Sequence, residues 1–161
     1  MSKKHNVHAT GLVLDKIGLI LRGPSGSGKS LLALSLLDEW EIRGRPARLV
    51  SDDRVDIAVV GDGLVMYPPK IIEGLIELRG RGLVSRPFAA SSPVHLVIDF
   101  VDTLERMLEE DALSTELLGV RLARCPLPKD GVIDSRHQLL LVREAIRSLS
   151  TGKRAARQES T

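Results

Sequence analysis

The sequence predicts an α/β domain with a mixed sheet, organised about a phosphate-binding loop. Three observations predict it. The apolar run "LILRG" leads into Gly23-Pro24-Ser25-Gly26-Ser27-Gly28-Lys29-Ser30, which fits G-x-x-x-x-G-K-[ST] with a strand pattern before it and a helix pattern after. Two hairpin patterns interrupt the strand–helix alternation, and a purely parallel βαβ chain would not accommodate them. The 161 residues, 43% hydrophobic but only 2% aromatic, suffice for one domain with an aliphatic core.

Taken in order, "VHATGLVLDKIGLILRG" reads as two strands joined at Asp15-Lys16-Ile17-Gly18, with Gly18 placed to tolerate a positive φ. Residues 29–43 carry leucines at helical spacing, and Gly44 is a natural stop. "ARLVSDD" is a strand ending in two carboxylates, and "VDIAVVGDGLVMY" is a second hairpin about Gly61-Asp62-Gly63. "KIIEGLIELRGRG" reads as a short helix running into a glycine-rich loop. "VHLVIDF" is a buried strand, "TLERMLEE" a helical turn or two, and "GVRLARCPLP" a further strand. "RHQLLLVREAIRSL" is an amphipathic helix with Leu139, Val142, Ala145, Ile146 and Leu149 on one face. The domain spans residues 1–150, and the polar stretch 151–161 reads as a mobile tail.

Composition excludes several classes. A net charge of +2 is too close to balance for a nucleic-acid-binding domain, and one "RGRG" copy with few aromatics does not make an RNA-binding tract. Cys125, the one cysteine, forms no internal disulfide and reads as a small buried hydrophobe in a reducing compartment. The basic start "MSKKHNVHATG" is followed by no signal-like apolar run, and no segment reaches the roughly eighteen apolar residues of a membrane span. The expectation is a cytoplasmic protein with no membrane or nucleic-acid partner.

The glycine loop turns backbone N–H groups toward a phosphate at a helix N-terminus. Lys29 is placed to reach the β/γ-oxygens, and the Ser30 hydroxyl to ligate Mg²⁺. Phosphoryl transfer also needs a carboxylate near the metal and a group that orients the nucleophile. Two places compete for these roles. Asp99 ends a buried strand as a Walker-B aspartate does; the alternative is Asp52-Asp53 with Glu77. Adjacent side chains in an extended segment point to opposite sides, so one aspartate of the pair can face a metal while the other faces a substrate. The local pattern alone leaves this choice open.

"VHATGLVLDKIGLIL", "GPSGSGKS", "LVSDDRV" and "LIELRGRGL", in this order, resemble the catalytic domain of the HPr kinase/phosphorylase family. The resemblance covers roughly residues 7–106. It implies a fold akin to the nucleotide site of phosphoenolpyruvate carboxykinases, ATP and Mg²⁺ as cofactors, and a homo-hexamer. The implied activity is phosphorylation of a serine on an HPr-like phosphocarrier, reversible by inorganic phosphate. By position, the resemblance puts the active-site histidine on His8 and the general base on Asp53. It puts metal ligands on Ser30 and Glu77 with Asp52 nearby, and an active-site arginine on Arg106. Lys29 and the loop residues hold the nucleotide, while Glu77, Arg79 and Gly80 form a loop that closes on the protein substrate. Asp99 becomes a strand-end acid.

These roles suit the chemistry. A serine hydroxyl is a poor nucleophile at neutral pH, so a carboxylate must orient it and take its proton. A neighbouring carboxylate raises that base's proton affinity, and an imidazole tunes it the other way. The sequence also departs from the family. Pro24 stands where the family loop has aspartate, the chain starts close to His8 as in a catalytic-domain-only form, and Arg136 aligns with the family's phosphorylase motif only across an insertion. Two other readings remain: a small-molecule P-loop kinase, for which no lid helix pair is visible, and a nucleotide- or phosphate-sensing module with little turnover.

Overall fold

The computed structural model describes residues 3–69 and 74–159, with side chains as far as residue 149. The chain opens with strands β1 (His5–Leu14) and β2 (Ile17–Arg22), then helix α1 (Lys29–Ile42). Strands β3 (Ala47–Ser51), β4 (Arg54–Val60), β5 (Gly63–Tyr67), β6 (Leu75–Leu78), β7 (Gly82–Ser85), β8 (Ser92–Pro93) and β9 (Leu96–Val101) follow. A 3-10 turn at Glu110–Leu113, β10 (Ser114–Leu117), β11 (Val120–Pro128) and helix α2 (Ser135–Glu159) complete it.

Among the described residues, nine strands form one mixed sheet in the order β10-β11-β9-β2-β1-β4-β5-β8, with β3 also paired to β1. Its centre is parallel: Cys125 of β11 lies beside Ile98 of β9, and Ile98 beside Leu21 of β2. These three strands therefore end on one edge of the sheet, where ligands of open α/β sheets bind. β2 and β9 are buried on both faces, which explains why each reads as an unbroken apolar run. Leu19, Leu21, Leu96 and Ile98 face a cluster covered by α1 and α2, while Ile20 and Val97 face a second cluster with Ile57, Leu64 and Met66. In α2, Leu139, Val142, Ala145, Ile146 and Leu149 pack on the first cluster, as the helical spacing predicts.

Several expectations need correction. Gly18 does not have a positive φ; at the first hairpin the left-handed residue is Asp15, φ 59°. A Cβ on Gly18 would lie 1.7 Å from the Pro93 carbonyl oxygen, so close backbone approach, not turn geometry, demands the glycine. Gly18→Ala is expected to cost about 3 kcal/mol, the upper range for overpacking, read from denaturant unfolding. The helix expected over "KIIEGLIELRGRG" is replaced from Leu75 by strand β6, which pairs with β7 in a separate hairpin, Glu77 opposite Leu83; residues 70–73 lie outside the described residues. Ile76 of this hairpin packs against the α1 cluster, and that tertiary contact overrides the local helical spacing. "TLERMLEE" is not helical before its last residue; Glu110 opens a 3-10 segment that runs to Leu113. α2 runs from Ser135 to Glu159.

Cys125 is buried, and burial pushes its thiol up to about 11. A native protein at pH 8 therefore holds almost no thiolate there. Thiol-reactive dye is expected to label Cys125 only after denaturation; rapid labelling of the folded protein would contradict the burial.

Candidate active site

The sheet topology gathers the site. β1 runs antiparallel to β2, with Ala9 opposite Arg22, so His8 stands at the edge where β2 releases the glycine loop. β3 and β4 both lie antiparallel along β1, β3 beside residues 11–14 and β4 beside residues 5–8. Together they are one run along β1, broken at Asp52-Asp53. The break is a three-residue turn: Asp53 has φ 67°, and the Arg54 amide donates to the Asp52 carbonyl at 2.8 Å. A positive φ on a residue other than glycine is strained and persists where surrounding structure holds it.

The turn separates the two carboxylates. Asp52 Oδ1 accepts the Ser30 hydroxyl at 2.7 Å and the Thr10 hydroxyl at 3.0 Å. Asp53 Oδ1 lies 2.7 Å from His8 Nε2, and its side chain remains 66% exposed. One carboxylate thus faces the phosphate loop and the other faces solvent beside an imidazole. The division was expected from an extended backbone; a tight turn produces it instead.

The loop is shaped for an anion. Gly26 and Gly28 have φ of +81° and +102°, with open space where a Cβ would stand. Gly28 begins α1 without any side-chain cap, leaving the first helical N–H groups for a ligand. Ser27 Oγ is buried and has no hydrogen-bond partner among the described residues. Lys29 is buried and folds back, its Nζ donating to the carbonyls of Gly23 at 2.7 Å and Pro24 at 3.1 Å. Burial pushes the Lys29 ammonium below the ordinary lysine range, against the opposing pull of Asp53 and Asp52. An orphaned hydroxyl, uncapped amides and a lysine held by weak carbonyl acceptors fit phosphate oxygens. Ser30 with Asp52 fits a hard divalent cation that keeps waters and takes further oxygens from a nucleotide. Among the described residues, no three His, Cys, Asp or Glu side chains converge as a complete metal cage.

Asp99, the competing Walker-B candidate, is engaged elsewhere. Arg22 donates to both of its oxygens, at 2.7 and 2.8 Å, and Arg124 donates to Oδ2 at 2.6 Å. Burial raises the Asp99 carboxyl, but the hydrogen bonds and charges of Arg22 and Arg124 outweigh it and hold the group below the usual range. Arg124 also donates to the Ala112 carbonyl at 3.1 Å, tying down the segment after β9. Asp99 is therefore a clamp that joins β2, β9 and β11 immediately behind the loop.

The structure joins His8, Asp52, Asp53, Lys29 and Ser30. Glu77 is exposed on β6, and Arg79 and Gly80 stand at the tip of the β6–β7 hairpin; none of them bonds to that group among the described residues. Arg106 is exposed on the loop after β9, and Arg136 is exposed in the first turn of α2. Sequence reasoning missed Thr10, Arg22 and Arg124. Thr10 left one trace, a polar residue inside the apolar run of β1; the arginines left none, since their partner is distant in sequence.

A family model described as the HPr Serine kinase C-terminal domain matches residues 1–158. The chain is 32% identical over 142 residues to an HPr kinase/phosphorylase of Enterococcus faecalis, covering 80% of this chain and 42% of that relative. It thus spans about two fifths of the length of the curated relative it matches. The solved HPr(Ser) kinase/phosphatase of Coxiella burnetii superposes with a TM-score of 0.75 at 28% identity, over 97% of this chain and 96% of that one. With a match that takes in the glycine loop, the paired aspartates and both helices, the chain belongs to the HPr serine kinase C-terminal domain family.

Proposed function

We propose that this domain transfers the γ-phosphate of ATP to a serine hydroxyl of an HPr-like phosphocarrier. The observation that carries the reading is the division of labour at the turn, with Asp52 on Ser30 and Asp53 exposed beside His8. In this reading the loop amides, the Ser27 hydroxyl and Lys29 hold the nucleotide phosphates. Lys29 leaves its carbonyl acceptors for phosphate oxygens, a better partner for a partly desolvated ammonium. Ser30 and Asp52 would hold Mg²⁺, which would supply charge neutralisation for the nucleotide phosphates.

Asp53 accepts a hydrogen bond from the incoming serine hydroxyl and takes its proton as the new P–O bond forms and the bond to the ADP oxygen breaks. His8 fixes the carboxylate's direction through the 2.7 Å contact. In reverse, inorganic phosphate attacks phosphoserine, protonated Asp53 returns the proton to the serine oxygen, and pyrophosphate leaves. The β6–β7 hairpin, with Glu77, Arg79 and Gly80 near its tip, closes on the docked carrier, and Arg106 reaches the site from its loop. The family's hexameric assembly belongs to the same reading, supported by exposed apolar side chains such as Met107, Ile42 and Leu83.

The test is a transfer assay with γ-labelled ATP, Mg²⁺ and an HPr-type carrier, beside a carrier whose target serine is alanine. Label on the first carrier only is the expected result, and excess phosphate should then remove it. ATP bound with no carrier labelled would overturn the reading in favour of a nucleotide sensor.

A further inference from the structure

Thr10 is completely buried, yet its hydroxyl meets both members of the aspartate pair. It donates to Asp52 Oδ1 at 3.0 Å and accepts the backbone N–H of Asp53 at 3.2 Å. We propose that Thr10 is a positioning residue that sets the two aspartates in their separate roles, an inference that rests on the transfer reading above.

Packing alone gives no reason for a hydroxyl here. Side chains alternate along β1, so Thr10 shares a face with Leu12 and Leu14, and it pairs with Leu21 of β2; all three leucines belong to the apolar cluster under α1. Valine has the same shape and would extend that apolar column. A buried hydroxyl is costly unless it is bonded, and this one has both its donor and an acceptor position in use. What the hydroxyl achieves lies at the turn. At Asp52, Thr10 and Ser30 both donate to Oδ1, which leaves Oδ2 without a partner among the described residues and free to face a cation or its waters. At Asp53, the Thr10 oxygen holds the amide of the residue whose φ is 67°, the conformation that sends its carboxylate to His8. Both carboxylates act on the Lys29 ammonium, so a shift of either also changes the field at the phosphate loop.

Removing the hydroxyl has two linked effects. Asp52 keeps only Ser30 and gains rotational freedom. The Asp53 amide loses its acceptor, and the strained turn relaxes toward an extended backbone. Packing is untouched in Thr10→Val, and Thr10→Ser restores the hydroxyl while losing only a methyl group.

The experiment compares wild type, Thr10→Val and Thr10→Ser in three readouts: amide exchange at Asp53 by NMR, the Mg²⁺ concentration that half-maximally tightens a fluorescent ATP analogue, and kcat and KM for carrier phosphorylation. Thr10→Val is expected to speed Asp53 exchange and raise the Mg²⁺ half-point. It should also lower kcat by about tenfold to a hundredfold, the equivalent of one hydrogen bond to a charged group, with Mg²⁺-free nucleotide affinity unchanged. Thr10→Ser should restore all three. If valine is not tolerated in the fold, Thr10→Ala gives the same readouts. Wild-type exchange and Mg²⁺ dependence in the valine protein would overturn the proposal, as would a serine variant no better than valine. If wild type labels no carrier, the transfer reading fails, while the exchange and Mg²⁺ measurements still decide the role of Thr10.

Discussion

Replacing Asp53 with asparagine is expected to lower phosphate transfer by about 10²–10⁴-fold, the usual contribution of a positioned general base. ATP affinity should hold or tighten slightly, because a negative charge is removed from the vicinity of Lys29 and the phosphates. Stability should barely change: the Asp53 side chain is 66% exposed, and pairs of that exposure contribute little. Single-turnover labelling of the carrier, nucleotide titration and thermal melting separate these effects. Full transfer activity in the asparagine variant would remove Asp53 from the chemistry. Loss of nucleotide binding together with transfer would mark it as part of the phosphate site instead.

Replacing Asp99 is expected to act on the fold first. Asp99→Leu leaves Arg22 and Arg124 unpaired at the parallel strand ends and should cost about 3 kcal/mol, with Tm lower by roughly 10 °C. Nucleotide binding should weaken because the loop that follows Arg22 loses its anchor. The pair also sets an acid limit. Because the Asp99 carboxyl is held below its ordinary range when folded, its contribution is present above the unfolded pKa of about 3.9. It is lost as pH falls through the depressed value, and Asp99→Leu should flatten that part of the acid-denaturation curve. A variant of unchanged stability that no longer binds Mg²⁺–ATP would instead restore Asp99 as a metal ligand.

What could be read from the chain and what could not divide along sequence distance. The glycine loop announces itself because every feature of it is local, and the first two hairpins follow from short-range alternation and turn residues. The paired aspartates were visible as candidates, yet their division arises from a turn whose hydrogen bonds reach back to Thr10, beyond any local window. Glu77 and its neighbours carry helical spacing, but pairing with β7 and the contact of Ile76 with α1 decide their state. Asp99 shows the limit most plainly. An acid at the end of a buried strand looks the same whether a metal or two arginines await it, and Arg22 stands 77 positions away.

The clamp at Asp99 also bears on the order in which the molecule comes into being. The residues that the structure brings together, His8, Lys29, Ser30, Asp52 and Asp53, lie within the first third of the chain, and their bonds span at most 45 positions. The parallel frame beneath the loop closes only when β9 and then β11 arrive. During synthesis the reactive half can therefore meander into place early, while its anchor waits for distant contacts that form slowly. Nascent chains stopped before Arg124 should carry the reactive residues without a settled phosphate cradle, so ribosome-bound chains of increasing length should acquire nucleotide affinity in a single late step.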